Sequence, residues 1–298
     1  MGDRIRPSKG IFILFLAPII LFYVFSALLP VVLAFYYSFF DWTGGPNRTF
    51  SGLANYQALI QDMEFWSAYG NNLYITAFSI VGQIGIAFIL AMMLNTRISK
   101  FKGFHRTLCY FPATLSAVVI GFVWMIIYDF RSGLLNALLE VIGLGQFQQA
   151  WLSNRELALT LVSIPIVWQF IGFYMVIFLS AFTSIDSSIF EMAEIDGANG
   201  FQRMIYIALP LMKKVIFVAV MLCIAGNMRT FDHIFVMTGG GPGTTTTVMA
   251  QYAFSVSFLR HNLGYGNTVS IGILVMSVAT MLVARLVFGL FSREKGES

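Results

Sequence analysis

Three acids, Glu191, Glu194 and Asp196, fall within six residues of a chain that has only 14 acidic side chains in all. They open a polar segment, 191–210, that interrupts strongly apolar sequence on both sides. Acids in such a place can cap a helix, pair with a cation, or present charge to a partner. Ser188, followed three residues later by Glu191, fits a capping box, in which each side chain satisfies a backbone donor of the first turn. Asn199-Gly200 supplies a turn where positive φ is cheap. A second short helical stretch is predicted from Phe201 to about Ala208. Leu209 is biased away from the α region by Pro210, which can open the next helix. Ala193, Gly197 and Gly200 recur at i, i+4 and i+7, so they predict one helix face without bulk, open to close approach. Glu191, Glu194 and Ala198 lie on a neighbouring face. The chemistry on offer is docking, with a charge beside a flat surface. The plainer alternative is that any connecting loop needs caps and turns.

A second group of polar residues lies inside apolar runs, where ionisable groups are costly and face protein or water. Asn227, Arg229, Asp232 and His233 cluster together, and Arg229 and Asp232 are spaced to pair with each other. Trp168, Gln169 and Tyr174 place aromatics beside an amide, an arrangement that holds a sugar by its ring face and its hydroxyls; plain helix packing is the competing reading. Asn267 and Ser270 are further candidates for a solute pathway. No catalytic constellation is present. The sequence has no Gly-x-x-x-x-Gly-Lys-Ser/Thr loop for nucleotide phosphates and no Gly-x-Ser-x-Gly, and His105, His233 and His261 are scattered. Cys109 and Cys223 lie far apart in apolar runs and read as packed thiols, with no metal-ligand spacing.

The elements that must position these residues are membrane helices. Hydrophobic residues make up 58% of the 298, charged residues 11%, and mean hydropathy is +0.78, values of a polytopic membrane protein. The predicted fold is all-α: a single transmembrane domain over 1–298 with six spans at about 11–40, 69–95, 107–128, 157–182, 211–237 and 263–291. Spans of ~20 residues or more match a hydrocarbon core of ~30 Å. Pro18 and Pro30 are expected to kink the first span, and Gly82 and Gly85 to allow close contact in the second. The stretch from Val248 to Phe258 reads as a short interfacial helix. Twelve of the 18 Lys and Arg residues fall on the side of the N-terminus, the 96–106 linker, the 183–213 segment and the C-terminal tail, and four on the other. That bias puts both termini and the polar segment in the cytoplasm. The net charge of +4 sits at membrane edges and does not indicate nucleic acid.

The 191–210 segment resembles the Glu-Ala-Ala loop of bacterial ATP-binding-cassette importer permeases. Glu191, Met192, Ala193, Asp196, Gly197, Ala198, Ile207, Leu209 and Pro210 follow that pattern, with Met192 as the one departure. The rest of the chain resembles the carbohydrate-uptake branch of these permeases, through Asn55-Tyr56, Phe111-Pro112-Ala113, Gly133-Leu-Leu-Asn136, Phe231-Asp232, Thr238-Gly-Gly-Gly-Pro242 and Tyr265-Gly266-Asn267. The resemblance implies a type I importer permease in the bacterial inner membrane, paired with a second, similar permease. Two ATPase subunits would bind ATP and magnesium, so this chain would hold no cofactor and catalyse nothing. A solute-binding protein would deliver the sugar from outside. Residues 188–210, Ser188 included, would couple the ATPase to the pathway. Glycerol-phosphate or an amino sugar is the alternative cargo. An ion-coupled carrier would need more buried acids than Asp232 and repeated halves, which the chain lacks.

Overall fold

The computed structural model describes residues 9–95 and 101–293. Arg4, Arg6, Arg97, Lys100 and Lys295, which carry part of the charge count, lie outside the described residues. The chain groups into two compact units: one runs up to Asp62 and adds Ala253–Gly272, the other comprises Met63–Tyr252 and the chain from Ile273.

In the first unit a long apolar helix, α1 (Gly10–Tyr37), runs into a two-residue antiparallel pair, β1 (Phe40–Asp41) and β2 (Thr49–Phe50), and then α2 (Ala54–Gln61). The expected disturbance at Pro30 takes the form of a π-helical stretch, Val24–Leu28, one turn earlier, where the missing proline N–H frees a carbonyl. The Asn55 amide donates to the Ser38 and Phe40 carbonyls at 2.9 and 3.0 Å, and the Tyr56 hydroxyl meets Ser38 Oγ at 2.7 Å. These bonds account physically for the Asn-Tyr pair singled out in the sequence.

The second unit is built on α7, whose apolar length matches the predicted span. Its elements in chain order are α3 (Met63–Asn95), α4 (Lys102–Tyr110), α5 (Ala117–Ile127), α6 (Leu134–Val141), α7 (Ala158–Phe182), α8 (Ser187–Ile195), α9 (Gly200–Leu211), α10 (Lys213–Asn227) and α11 (Asp232–Met237); α12 (Met249–Phe254) and the long α13 (Leu263–Arg293) each belong partly to the first unit and partly to the second. Phe88, Tyr174, Met175, Phe178, Phe182, Met212 and Cys223 form one buried cluster around α7, and Ile75, Tyr128, Val162, Ile166, Ile234 and Met237 another. Gly172 lets α7 touch the α4 backbone: a Cβ there would sit 2.0 Å from the Cys109 carbonyl oxygen. Gly82 plays the same part against Val167, whereas Gly85 has nothing within 4 Å and is not a contact glycine.

Among the described residues, four helices are long and apolar enough to cross a membrane: α1, α3, α7 and most of α13. The other two predicted spans are bent pairs. The third breaks by 96° between the Lys102–Thr114 segment and α5, where Phe111–Thr114 tightens into a 3-10 turn around Pro112 and Leu115 goes extended. The fifth bends by 76° between α9 and α10, then stops at Asn227; α11 is a separate helix packed against α5, with Val236 over Gly121. The predicted continuous helix at 211–237 is therefore replaced by two. In the 248–258 stretch Val248, Met249, Tyr252 and Val256 are buried in the protein, while Phe258 is exposed.

Candidate functional site

The polar segment folds as an elbow of two short helices, α8 and α9. Its N-cap is Asp186, not Ser188: the Asp186 carboxylate accepts the Ser188 backbone N–H at 3.0 Å. A charged acceptor at a helix N-terminus outcompetes a hydroxyl, so the helix starts at Ser187 and Glu191 stands in its middle. That bond, with the Ser188 hydroxyl, holds the Asp186 carboxyl below the usual carboxylate range. The capping box appears one helix later, where Asn199 and Gln202 exchange side-chain bonds with each other's backbone at 2.9 and 2.8 Å.

Gly197 ends α8. Its φ is +80°, the Ala198 N–H reaches the Ala193 carbonyl at 2.9 Å, and the Gly197 N–H reaches the Glu194 carbonyl at 3.1 Å. This is a Schellman ending, which needs a left-handed residue just past the helix. The predicted small face of Ala193, Gly197 and Gly200 is thus split: Ala193 is buried, Gly197 is the turn, and Gly200 opens α9. An Arg203–Glu194 ion pair at 2.9 Å ties the two helices across the turn. Glu191, Glu194, Gly200 and Arg203 share a groove of about 550 Å³ with Met92, Phe182, Ile185 and Phe190. On its outer edge the elbow exposes Met192, Ile195 (85% exposed) and Phe201 (69%). Asp196, the C-cap, is exposed too, Ala198 and Ile207 are half-buried, and Leu209 and Pro210 lie exposed in the run toward α10.

Of the predicted pathway residues, the second unit brings Tyr174, Asn227, Arg229 and Asp232 to one cavity of about 390 Å³, lined also by Gln83, Phe170, Phe173, Cys223, Phe231 and His233. Arg229 and Asp232 do not pair; the guanidinium turns back to the Ala225 carbonyl at 3.2 Å. Trp168 is not in the cavity: it is 40% exposed and lies edge-on to Trp124. Gln169 is buried and spent on the Leu115 carbonyl at 3.0 Å, where it splints the break between α4 and α5. Asn267 belongs to the first unit and bonds back to Leu263.

The cavity wall rests on a buried polar ladder that sequence reasoning missed. Asn72 donates to the Asn227 carbonyl at 2.8 Å and accepts the Met249 N–H at 2.9 Å. Ser79 reaches Asn227 Oδ1 at 3.3 Å, Asn227 donates to the Cys223 carbonyl at 2.9 Å, and Gln83 donates to the Ile166 carbonyl at 3.0 Å. Asn72, Thr76, Ser79 and Gln83 are all buried and follow helical spacing along α3, a signal that was present in the sequence.

The described residues thus combine long apolar helices with a capped elbow and a cavity lined by polar side chains. Comparison with known proteins gives the class: the chain belongs to the family of binding-protein-dependent transport system inner membrane components, matched over residues 83–295. It is 34% identical to a probable ABC transporter permease of Pyrococcus horikoshii, over 94% of this chain and 96% of that one. It is 30% identical to the diacetylchitobiose uptake system permease of Streptomyces coelicolor, over 93% and 81% respectively. The fold matches a bacterial ABC transporter involved in import of the acidic polysaccharide alginate, with a TM-score of 0.81 at 22% identity, covering 94% of this chain and 95% of the other. The chain is therefore an ABC permease, a transport subunit and not an enzyme.

Proposed function

We propose that this chain forms half of the translocation pathway of an ATP-driven importer of oligosaccharides or related sugars in the bacterial inner membrane. A second permease supplies the other half, two ATPase subunits bind ATP and magnesium, and a solute-binding protein delivers the cargo. The sugar class is supported by relatives named for diacetylchitobiose and arabinooligosaccharide transport. The observation that carries the coupling role is the elbow itself. It is rigidly capped at three points and continuous with α7, and it exposes large apolar side chains outside any apolar span. Exposed apolar residues on a rigid polar element mark a protein-binding surface. In this reading the ATPase grips Met192, Ile195 and Phe201, and its closure moves α8; α7 follows and reshapes the cavity at Tyr174. Aromatic Phe170, Phe173 and Tyr174 beside the amides of Gln83 and Asn227 suit a hydroxyl-rich ring. Arg229, lining the same cavity unpaired with Asp232, favours a phosphate- or carboxylate-bearing solute as the second reading.

The test is Ile195→Asp in the full complex reconstituted in proteoliposomes. Binding-protein-stimulated ATP hydrolysis and ATPase co-purification should both fall, with insertion of the permease unchanged. Full stimulation and full co-purification by this variant would refute the elbow as the point of contact. Equilibrium binding to the cognate solute-binding protein, neutral against anionic oligosaccharides, decides between the two cargo readings.

A further inference from the structure

We infer that α6 is a membrane-interface helix, its outer edge lying in the boundary between lipid headgroups and acyl chains. The evidence begins with the turn that delivers it. After α5 ends at Ile127, the Asp129 carboxylate accepts the Arg131 and Ser132 backbone N–H groups at 3.0 and 2.8 Å. Gly133 then lies so near the Asp129 carbonyl that a Cβ would stand 2.2 Å from it, and the chain folds back.

The rotation of α6 about its axis is set by Asn136. Its amide donates to the Phe130 and Gln149 carbonyls at 3.0 and 3.1 Å and accepts the Trp151 indole N–H at 2.8 Å. The side chain is 4% exposed, so the polar amide of this helix points into the protein. The opposite edge is apolar and open: Leu134 is 66% exposed and Val141 84%, with Leu138 and Ile142 between and beyond them. Those four positions follow i, i+4, i+7 and i+8, a single stripe. In water this is an unfavourable arrangement: the buried amide is satisfied by its three hydrogen bonds, but four exposed aliphatic side chains forgo the hydrophobic free energy of burial.

A lipid surface removes the contradiction, and continuity favours it over a protein partner. Val119, Phe122, Val123 and Ile126 form an exposed apolar face on α5, which with the segment before it satisfies the length and composition of a membrane span. Phe130 carries that face round the turn to Leu134, so the stripe on α6 extends a surface already suited to hydrocarbon. The stripe itself bears no charge; exposed Arg131 precedes it in the turn, and exposed Glu140 lies on the Asn136 side of the helix, beside the Gln148 amide. An amphipathic helix of this kind binds in the plane of the interface.

Spin-label accessibility in the assembled transporter in liposomes tests this. Labels go on Val141→Cys and Leu138→Cys in a Cys109→Ser background, Cys223 being buried. Glu156→Cys serves as the aqueous reference and Val123→Cys reports on α5. Collisions with a nickel chelate should be lost at positions 138 and 141 relative to 156, while collisions with oxygen are retained. High chelate accessibility at 138 and 141 would overturn the inference, because the stripe would face water. Low accessibility to both reagents would also overturn it, because a protein would cover the stripe. A chelate-inaccessible Val123 label in either of those cases leaves the span reading standing.

Discussion

Gly197 separates two accounts of the elbow. If it belonged to a flat contact face within this subunit, the size of a replacement side chain would set the damage. The structure places nothing within 4 Å of a Cβ at Gly197, while its φ is +80°. The cost inside the subunit is then purely conformational, the ~1–2 kcal/mol of holding an L-residue in the left-handed region. Gly197→Ala and Gly197→Leu should therefore loosen the α8 ending equally, by a factor of roughly 5–30 in the local opening equilibrium. Gly197→Asn should do less harm, because Asn visits this region readily. Hydrogen exchange of the Ala198 amide, whose partner is the Ala193 carbonyl, reads that opening directly in the isolated permease. In the full complex the ranking should change: if the ATPase packs over the turn, Leu must impair co-purification far more than Ala. Unequal exchange for Ala and Leu in the isolated subunit, or Asn as damaging as Ala, would show the conformational account to be wrong.

Asn72→Leu should lower the thermal midpoint of the detergent-solubilised protein, since it orphans the buried Met249 N–H, at ~1–3 kcal/mol, and leaves the Asn227 carbonyl with the Thr230 N–H alone. Asn72→Asp, which keeps the acceptor for Met249, should cost less in the same melt unless the new charge dominates, which a melt at low pH checks. Gly172→Ala forces a methyl against the Cys109 backbone and should destabilise by ~1–3 kcal/mol or more, whereas Gly70→Ala, with open space around it, should be neutral or slightly stabilising. The Asp186 cap should be fully present above the usual carboxylate value of ~4 and be lost as pH falls through its lowered folded value; exchange of the first-turn α8 amides should rise over that acidic window in the native protein but not in Asp186→Asn.

Hydropathy located α7 and the start of α13 to within a residue, because a long apolar run must satisfy its backbone internally in lipid, and a helix does so even across Pro165 and Gly172. It failed at the third and fifth spans for a physical reason. Hydropathy measures whether side chains tolerate an apolar surround, not which way the backbone runs: the 96° bend keeps apolar sequence on both sides, and the fifth span, which was expected to open after Pro210, stops at Asn227, short of its expected end at 237. Pro112 was visible as a helix opener, yet it sits in the 3-10 turn that precedes the break. At the elbow the residue types and spacing were legible, but the choice between Asp186 and Ser188 as cap depended on where the previous helix stopped. The cavity was half legible. Asn227, Arg229 and Asp232 stood out as polar residues in an apolar run, while Asn72, Ser79 and Gln83 looked individually ordinary and only their shared helical period marks them. Trp168 lies outside this cavity, and its aromatic character alone does not say which side of α7 it occupies.

The elbow's attachment to its two flanking helices is unequal, and under the proposed function that inequality sets the direction in which force travels. Toward α7 the link is four residues, 183–186, and its first three are bonded back to the helix: Thr183, Ser184 and Ile185 donate to the Leu179, Ala181 and Phe182 carbonyls at 3.1–3.2 Å. Phe182 is buried against Phe88, which prevents the last turn from fraying. A displacement of α8 has nowhere to dissipate there and must tilt α7, carrying Tyr174, eight residues or about 12 Å up the helix. Toward α10 the path crosses the π-helical stretch Met204–Ala208 and the sharp break at Met212, so α10 can keep its place while the elbow moves. Tyr174 rides on the driven helix and Asn227 on the held one. The cavity between them must change shape whenever the elbow moves, and the Asn72–Asn227 bond that fixes α10 to α3 supplies the stationary side of that motion.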